Sequence, residues 1–542
     1  MYITIDYDES YKKGILKTEN LEDIRQAFSE ENENVNLIRK RYGKRFLPSR
    51  NYAITPTGRF DLGLFQDILK YLKSTGIEFK LILTESFKKQ YDYRLGFENV
   101  NINKTITNFN ITYSPRNYQE DCLNKMINKG RGLIEIATAG GKTPIFVFFS
   151  SIYLSQFPAK KIFIVTLPNL VKQTYEEFIN NGFPKDLISM WDGNNELNSE
   201  TNIVIASNVI LYPQLDNVKL KLKKNLTLQK TIERRLSEGS EDSELYKHLE
   251  DLKYDAKLLK CQFEKQKNIT HEFLKCIDLL LLDEVHLFKK GNEINELFEI
   301  ITTKNIYGFT GSLPEKKIDL WNVIGKVGPI IHRTTREELI KEDHISDYIV
   351  KILGIEYKDS PDYQRIKITD NLTLNYELEM EFIINNEYRN KIIKKLIEPT
   401  KNNCLILVDK IAHGEKLLDI LKFDNRKTYY IRGETDTEIR EDIKKEIESA
   451  NDVVLIAMSK IFSTGINLKN LHYIILAGGG KSKEKLVQSL GRGLRKHNKK
   501  EKLVFIDIFD FLKYGEEHFK ERIRIYEEDK IKYEIKKIRE CC

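Results

Sequence analysis

Three short motifs, far apart in the chain, combine residue types that handle phosphate. They are Ala137-Thr138-Ala139-Gly140-Gly141-Lys142-Thr143, Asp283-Glu284-Val285-His286 and Gln488-Ser489-Leu490-Gly491-Arg492-Gly493-Leu494-Arg495. Backbone N–H groups, an ammonium group, carboxylates and guanidiniums bind and activate nucleoside triphosphates. Each motif alone also fits a turn, a strand end or a basic helix face. Together and in this order they predict phosphoryl-transfer chemistry.

The first motif follows the apolar run Leu133–Ile136, so it is predicted to join a buried strand to a helix. Lys142 would neutralise the outer phosphates, and Thr143 would ligate Mg²⁺. The motif departs from the pattern G-x-x-x-x-G-K-[ST], because Ile136 stands at the leading glycine position. Small residues in the turn would let backbone N–H groups close on phosphate oxygens. These residues are Thr138, Ala139, Gly140 and Gly141.

The second motif ends the apolar run Ile277–Leu282, which places two carboxylates at the tip of a buried strand. Asp283 is predicted to hold Mg²⁺, and Glu284 is predicted to polarise the attacking water. In the third motif, Arg492 and Arg495 are three residues apart on a predicted helix, which directs both guanidiniums toward one γ-phosphate. The pair would act from a second domain.

These motifs resemble those of the superfamily 2 helicases of the DExH type. The resemblance is more specific to phage recombination helicases in Tyr430–Arg440, Phe462–Ile466, Lys469–His472 and Gly491–His497. It runs from about Arg116 to about Asp507. It implies two RecA-like parallel-sheet motor domains, with ATP and Mg²⁺ as cofactors.

The resemblance also implies roles for single residues. Gln119 would read the adenine edge, since an amide both donates and accepts, and Arg116, Gly465 and Gln488 would also contact ATP. His286, Thr310 and Ser312 would couple nucleotide state to the second domain, although small hydroxylic residues also suit a plain strand-to-helix turn. Pro168 and Ser207, which follow two buried strands, would contact the nucleic-acid backbone.

The predicted fold class is α/β, with two motor domains, a small N-terminal α/β domain and a helical-hairpin insertion. The boundaries are 1–110 for the N-terminal domain, 111–333 and 334–515 for the motor domains, 213–275 for the insertion and 516–542 for a charged helical tail. Residues 101–112 are predicted to be a linker. In the N-terminal domain, cations alternate with aromatic residues, a pattern that suits nucleic-acid binding or a solvated basic turn. The cations are Lys40, Arg41, Lys44 and Arg45.

The insertion shows the apolar spacing of a coiled-coil seam. A turn at Ser237–Ser243 would separate its two arms. Two hypotheses remain open: a spacer or protein-partner arm, with the partner unknown, or an arm that grips or separates DNA strands. Lys219, Lys221, Lys223 and Lys224 near its base favour the second. The seam positions are Leu245, Leu249, Leu252, Ala256, Leu259 and Phe263.

Composition excludes little. The 88 Lys and Arg exceed the 81 Asp and Glu, a net charge of +7 that permits a nucleic-acid partner without requiring one. The six cysteines lack metal-site spacing, and no apolar run reaches the length of a membrane span, so a cytoplasmic protein is expected. The leading hypothesis is a helicase acting on branched or forked DNA and single strands. An RNA helicase and a non-catalytic nucleic-acid clamp are the alternatives.

Overall fold

The computed structural model describes residues 2–32, 49–192, 194–207, 215–237, 243–288, 291–368, 372–422, 426–459, 461–462, 468–478, 480, 483–498 and 500–540. Contacts divide the chain into two compact units. The first comprises Met1–Ile136 and Lys142–Arg333, and the second comprises Ala137–Gly141 and Thr334–Cys542. Each unit contains a seven-stranded sheet.

The N-terminal part of the first unit is a small α/β domain. Its four-stranded sheet has the order β5-β2-β1-β6, and β3 pairs with β4 separately. Its longest helix buries Phe65, Ile68 and Leu72. The strands are β1 (Tyr2–Asp8), β2 (Lys13–Lys17), β3 (Ser29–Glu31), β4 (Arg50–Tyr52), β5 (Arg59–Phe60) and β6 (Lys80–Leu83). The helices are Leu21–Ala27, Phe65–Ser74 and Glu85–Tyr91, with a 3₁₀ turn at Leu62–Leu64.

This small domain is fixed to the first motor domain by a shared core. The rings of Phe28 and Trp321 lie 5.2 Å apart. The Glu30 carboxylate accepts hydrogen bonds from the backbone N–H groups of Lys317 (3.2 Å) and Ile318 (3.1 Å), and so caps a motor helix. The cations Lys40, Arg41, Lys44 and Arg45 lie outside the described residues.

The segment predicted to be a linker contains the helix Ile102–Asn108. Ile102 and Ile106 are four residues apart and both are buried, and the Asn101 side chain accepts a hydrogen bond from the Lys104 N–H at 3.0 Å. The apolar pair and the N-cap explain why a segment rich in Asn and Thr is ordered as a helix.

The first motor sheet has the order β13-β7-β12-β11-β8-β10-β9. The pairings recorded from β7 to β9 are parallel, and the strands are buried on both faces, as the continuous apolar runs predict. The strands are β7 (Gly132–Ile136), β8 (Ile162–Thr166), β9 (Ile188–Trp191), β10 (Ile203–Ser207), β11 (Leu279–Leu282), β12 (Ile306–Thr310) and β13 (Ile330–Thr334). The α-helices are Asn117–Lys129, Lys142–Gln156, Val171–Asn180, Glu296–Ile300 and Lys317–Val327, and the 3₁₀ turns are Pro168–Leu170, Lys185–Leu187, Val285–Leu287 and Glu293–Asn295.

The insertion consists of the helices Leu215–Ser237 and Ser243–Lys275. The two arms pack against each other, as the seam predicts: Ile232, Leu249 and Ala256 are buried. The Gln229 amide donates to the Leu252 carbonyl at 2.9 Å. At the base, Phe273 belongs to the motor core, where its ring lies 5.6 Å from that of Phe163.

The second unit contains a sheet with the order β16-β17-β15-β18-β19-β14-β20, in which every pairing is parallel. The strands are β14 (Asp347–Glu356), β15 (Cys404–Val408), β16 (Lys427–Ile431), β17 (Val453–Met458), β18 (Tyr473–Leu476), β19 (Lys502–Asp510) and β20 (Tyr533–Arg539). The helices are Arg336–Lys341, Pro361–Ile368, Leu372–Asn385, Glu387–Ile397, Ile411–Leu421, Thr437–Ser449, Lys483–Gly493 and Lys513–Glu528. The predicted fold class is confirmed.

The tail at 516–542 differs from the predicted charged helix. The helix ends at Glu528, and β20 then joins the sheet edge beside β14, with Ile352 opposite Ile535. An unpaired strand edge offers backbone donors and acceptors, so pairing outweighs the charged composition of this segment. None of the described helices combines the length and apolar character that a bilayer crossing requires.

Candidate nucleotide site

The predicted phosphate loop connects the end of β7 to the helix that begins at Lys142. Within the loop the Gly140 N–H donates to the Ala137 carbonyl at 2.9 Å. Ala139 (φ 69°) and Gly141 (φ 74°) both adopt the left-handed region. That conformation costs a residue with a Cβ atom about 1 kcal/mol, so Ala139 is held there by the turn. Turns of this kind aim successive N–H groups at one point, which suits an anion.

The helix that follows the loop is buried in the first unit. All residues from Ile145 to Leu154 are buried, so the helix is packed on every side within the first unit. Lys142 is its first residue and Thr143 its second. The helix N-terminus therefore presents its positive end from a rigid support.

Lys142 is paired with the carboxylates of the second motif. Its Nζ donates to Glu284 Oε1 at 2.6 Å and lies 3.8 Å from Asp283 Oδ1. All three side chains are largely buried. The structure thus brings together residues that are 141 and 142 positions apart in the sequence, at the carboxyl ends of β7 and β11.

Asp283 has the surroundings of a cation ligand. Its Oδ2 accepts a hydrogen bond from the Thr166 hydroxyl at 3.3 Å, and its Oδ1 accepts one from the Glu284 N–H at 2.9 Å. Burial raises the pKa of Asp283 to about 6 even with Lys142 nearby. A further positive charge would offset that burial, so the donor set fits Mg²⁺. The described residues contain no group of three or more metal-ligating side chains, and Mg²⁺ commonly binds through one or two carboxylates plus substrate phosphates.

Glu284 is held in a left-handed backbone conformation, with φ 48° and ψ 46°. Burial raises the pKa of its carboxylate, but Lys142 and a hydrogen bond from His286 lower it by more, so the pKa lies below its ordinary value. Glu284 is therefore ionised, as a group that accepts a proton from water must be.

The predicted coupling residues form one chain of hydrogen bonds. The buried His286 Nδ1 lies 2.9 Å from Thr310 Oγ1 and 3.3 Å from Glu284 Oε2. The Thr310 hydroxyl donates to the Ser312 carbonyl at 2.5 Å, so it accepts from His286. Nε2 of His286 has no hydrogen-bond partner among the described residues. The carboxylate beside Lys142 is thus connected to the turn after β12.

The two residues predicted at the adenine end form a helix cap. The Gln119 Oε1 accepts a hydrogen bond from the Arg116 N–H at 2.9 Å, at the start of the helix Asn117–Lys129. The Arg116 guanidinium donates to the Tyr118 hydroxyl at 3.3 Å. Gln119 is buried, and the cap fixes its position. Its contact with adenine stays a prediction.

Two predicted nucleic-acid contacts lie on neighbouring strands. Ser207 ends β10 opposite Thr166 of β8, and Pro168 follows β8 at the start of a 3₁₀ turn. Pro168 is exposed, whereas Ser207 is buried. Thr166, which also bonds Asp283, was not among the predicted site residues. A hydroxyl at the end of an otherwise apolar strand is the signal that identifies it.

In the second unit, the helix Lys483–Gly493 carries Arg492, whose guanidinium lies 5.8 Å from the centre of the Phe462 ring. Lys500 is a buried cation that the sequence motifs did not indicate. Its Nζ donates to the carbonyls of Gly493 (2.8 Å), Lys469 (3.0 Å) and Arg495. These hydrogen bonds fix the end of the helix and the backbone of Arg495. Gly465 and the side chain of Gln488 lie outside the described residues.

Two protein-family models match this chain. The model described as "Type III restriction enzyme, res subunit" matches residues 112–315, and the model described as "Helicase conserved C-terminal domain" matches residues 388–497. The first contains Lys142, Asp283 and Glu284, and the second contains Arg492 and Arg495. The chain therefore carries both domains of a helicase and is an ATP-hydrolysing enzyme.

The ATP-dependent DNA helicase uvsW of Enterobacteria phage T4 is 24% identical over 444 residues, which are 78% of this chain and 77% of uvsW. The DNA 3'-5' translocase XPB2 of Sulfurisphaera tokodaii is 24% identical over 424 residues, 72% of this chain and 81% of XPB2. A fragment of an HsdR subunit of a type I restriction enzyme from Vibrio vulnificus has a TM-score of 0.52 at 15% identity, covering 91% of this chain and 84% of that one. The two parallel-sheet domains are RecA-like.

Proposed function

We propose that this chain is an ATP-dependent DNA helicase or translocase that remodels branched DNA, including forks and recombination intermediates. The observation that carries the proposal is the buried cluster of Lys142, Asp283 and Glu284 at the carboxyl edge of the first sheet. Similarity to a DNA helicase along 78% of the chain supports DNA as the partner.

The proposed reaction is hydrolysis of the γ-phosphoryl group of ATP. Water attacks the γ-phosphorus, the bond to the β–γ bridging oxygen breaks, and Glu284 accepts the proton from the water. Lys142 stabilises charge on the outer phosphates. Thr143 and Asp283 would hold Mg²⁺, which supplies further positive charge to the phosphate oxygens.

The second unit would contribute to the transition state. Arg492 and Arg495 are the proposed donors to the γ-phosphate, where a guanidinium acts on charge that develops as the bond breaks. Gly465 and Gln488 are proposed as further ATP contacts, and Arg116 and Gln119 as the adenine contacts.

Strand β8 offers a route from nucleotide to nucleic acid. Thr166 at its end bonds Asp283, and the chain continues directly to Pro168, the proposed backbone contact. Asp283 follows β11, which pairs with β8, so Pro168 at the end of β8 is one strand away from it. Ser207, which lies opposite Thr166 on β10, is two strands away. His286, Thr310 and Ser312 provide the second route, through the turn after β12.

The test of this function compares ATP turnover in the presence of four nucleic acids of matched length: forked DNA, duplex DNA, single-stranded DNA and RNA. Forked DNA should stimulate turnover most, and displacement of an annealed strand should accompany it. Lys142→Ala should abolish both activities. Stimulation by RNA alone would replace this proposal with an RNA helicase, and unstimulated turnover in all four reactions would contradict it.

A further inference from the structure

The first arm of the hairpin carries most of the net charge of the chain. From Val218 to Ser237 it has seven Lys and Arg against one carboxylate, Glu233, a surplus of six positive charges. The whole chain has a net charge of +7. The second arm, Ser243–Lys275, is nearly balanced, with seven Lys against six Asp and Glu. Because the second arm is exposed with nearly balanced charge, an exposed arm does not need a surplus of positive charge to be soluble.

The cations of the first arm occupy one side of the helix. Gln229 and Ile232 are buried and define the face that packs on the second arm. At 3.6 residues per turn, Lys223, Lys230 and Arg234 lie within about 40° of each other and roughly opposite that face. All three are exposed. Lys224 and Arg235, which flank this row on one side, are exposed as well.

The row places like charges on the same side of one helix. Like charges four residues apart, such as Lys230 and Arg234, destabilise a helix by about 0.2–0.5 kcal/mol. The carboxylate of Glu233, the arm's sole acidic group in this stretch, is paired with Lys253 of the second arm at 3.4 Å. Thr227 and Thr231, on the same side as the row, direct their hydroxyls to carbonyls of their own helix. The side is thus mainly polar and cationic, and the exposed Leu220 and Leu226 lie about 60° to either side of the row.

We propose that this row, Lys223, Lys230 and Arg234, binds the phosphate backbone of nucleic acid. The inference rests on the proposed function and adds a contact outside both motor sheets. From Lys223 to Arg235 the helix rises about 18 Å, at about 1.5 Å per residue. One strand of a duplex carries a phosphate about every 3.4 Å along its axis, so the arm spans about five phosphates. Contacts of this kind do not read sequence.

The test compares two triple variants of the full chain. The first-arm variant is Lys223→Gln, Lys230→Gln and Arg234→Gln. The matched control is Lys247→Gln, Lys257→Gln and Lys265→Gln, which removes the same charge from exposed positions on the second arm. Affinity for duplex DNA, single-stranded DNA and duplex RNA of equal length is measured over a range of salt concentration. Basal ATP turnover and thermal unfolding establish that both variants are folded.

The first-arm variant should bind duplex about tenfold more weakly at low salt, and the slope of log affinity against log salt should fall by about 2 to 3. The control should keep the parental slope. Weaker binding of all three nucleic acids would support a contact with the phosphate backbone that they share. Weaker binding of one nucleic acid alone would support the proposal and identify that nucleic acid as the partner of the row. Parental slopes in both variants would overturn the inference while the proposed function stands, whereas absence of nucleic-acid binding by the parent would overturn both.

Discussion

Lys142 and Glu284 are each other's partner: the ammonium group of the phosphate loop lies 2.6 Å from the carboxylate proposed to act on water. ATP must compete with Glu284 for Lys142. We therefore expect Glu284 also to influence the strength of nucleotide binding.

We expect Glu284→Gln to abolish hydrolysis and to bind ATP about tenfold more tightly, because a neutral amide holds Lys142 less strongly. Equilibrium titration with a fluorescent ATP analogue measures the affinity. Glu176→Gln, which changes an exposed carboxylate, is the control and should leave affinity unchanged. Weaker nucleotide binding by Glu284→Gln would show that Glu284 supports the loop.

Arg495→Ala should lower the maximal rate of ATP hydrolysis by about 10³ to 10⁵ with little change in ATP affinity, because an arginine finger acts on transition-state charge. Arg492→Ala should also slow turnover, and it removes the contact with Phe462. Steady-state kinetics and nucleotide titration separate the two effects. Equal losses of rate and affinity would assign these residues to ground-state binding.

Lys500→Met should lower the maximal rate about 10- to 100-fold at nearly constant KM for ATP, because the buried ammonium positions the backbone at Gly493 and Arg495. Lys500→Arg should restore part of the rate, since a cation able to donate several hydrogen bonds is retained. Lys502→Met, two residues away and paired with Asp347 at the surface, is the control. A raised KM with an unchanged rate would contradict a positioning role.

Lys500 also predicts a pH dependence of stability. Burial lowers the pKa of Lys500 from 10.5 to about 8. Between these values the unfolded chain binds more protons than the folded chain, so this residue makes the free energy of unfolding rise as pH increases from about 8 to 10.5. Denaturant unfolding of the parent and of Lys500→Met across that range should reveal the slope in the parent alone. An identical pH profile in both proteins would exclude this linkage.

Truncation of the hairpin should leave the motor folded. Since Gln229 lies beside Leu252, residues 219 and 262 are at about the same level of the two arms, and a short Gly/Ser turn can replace 219–262. The base is retained because Phe273 packs in the motor core. Basal ATP turnover should stay within about twofold of the parent, and duplex binding should fall as in the first-arm variant. If the truncated protein is soluble but has lost basal ATP turnover, the prediction is wrong and the arm is required by the ATPase domains.

The sequence by itself determined the elements whose signals are local. The apolar runs before Ala137 and Asp283 predict buried strands, and the seam from Leu245 to Phe263 predicts the hairpin. The motif residues Lys142, Asp283 and Glu284 were identified because each follows such a strand. Hydrophobic periodicity and residue type are properties of a short segment, so they can be read without the fold.

Tertiary structure alone decided the contacts between distant segments. Thr166 on Asp283, Lys500 beneath the Arg492 helix and Glu30 at the start of a motor helix join residues that no local pattern relates. The ordered helix at Ile102–Asn108 and the edge strand β20 arise because a neighbouring core and an open sheet edge accept them. Local composition favours a linker and a charged helix there, and burial and backbone pairing outweigh it, because both are supplied by other parts of the chain.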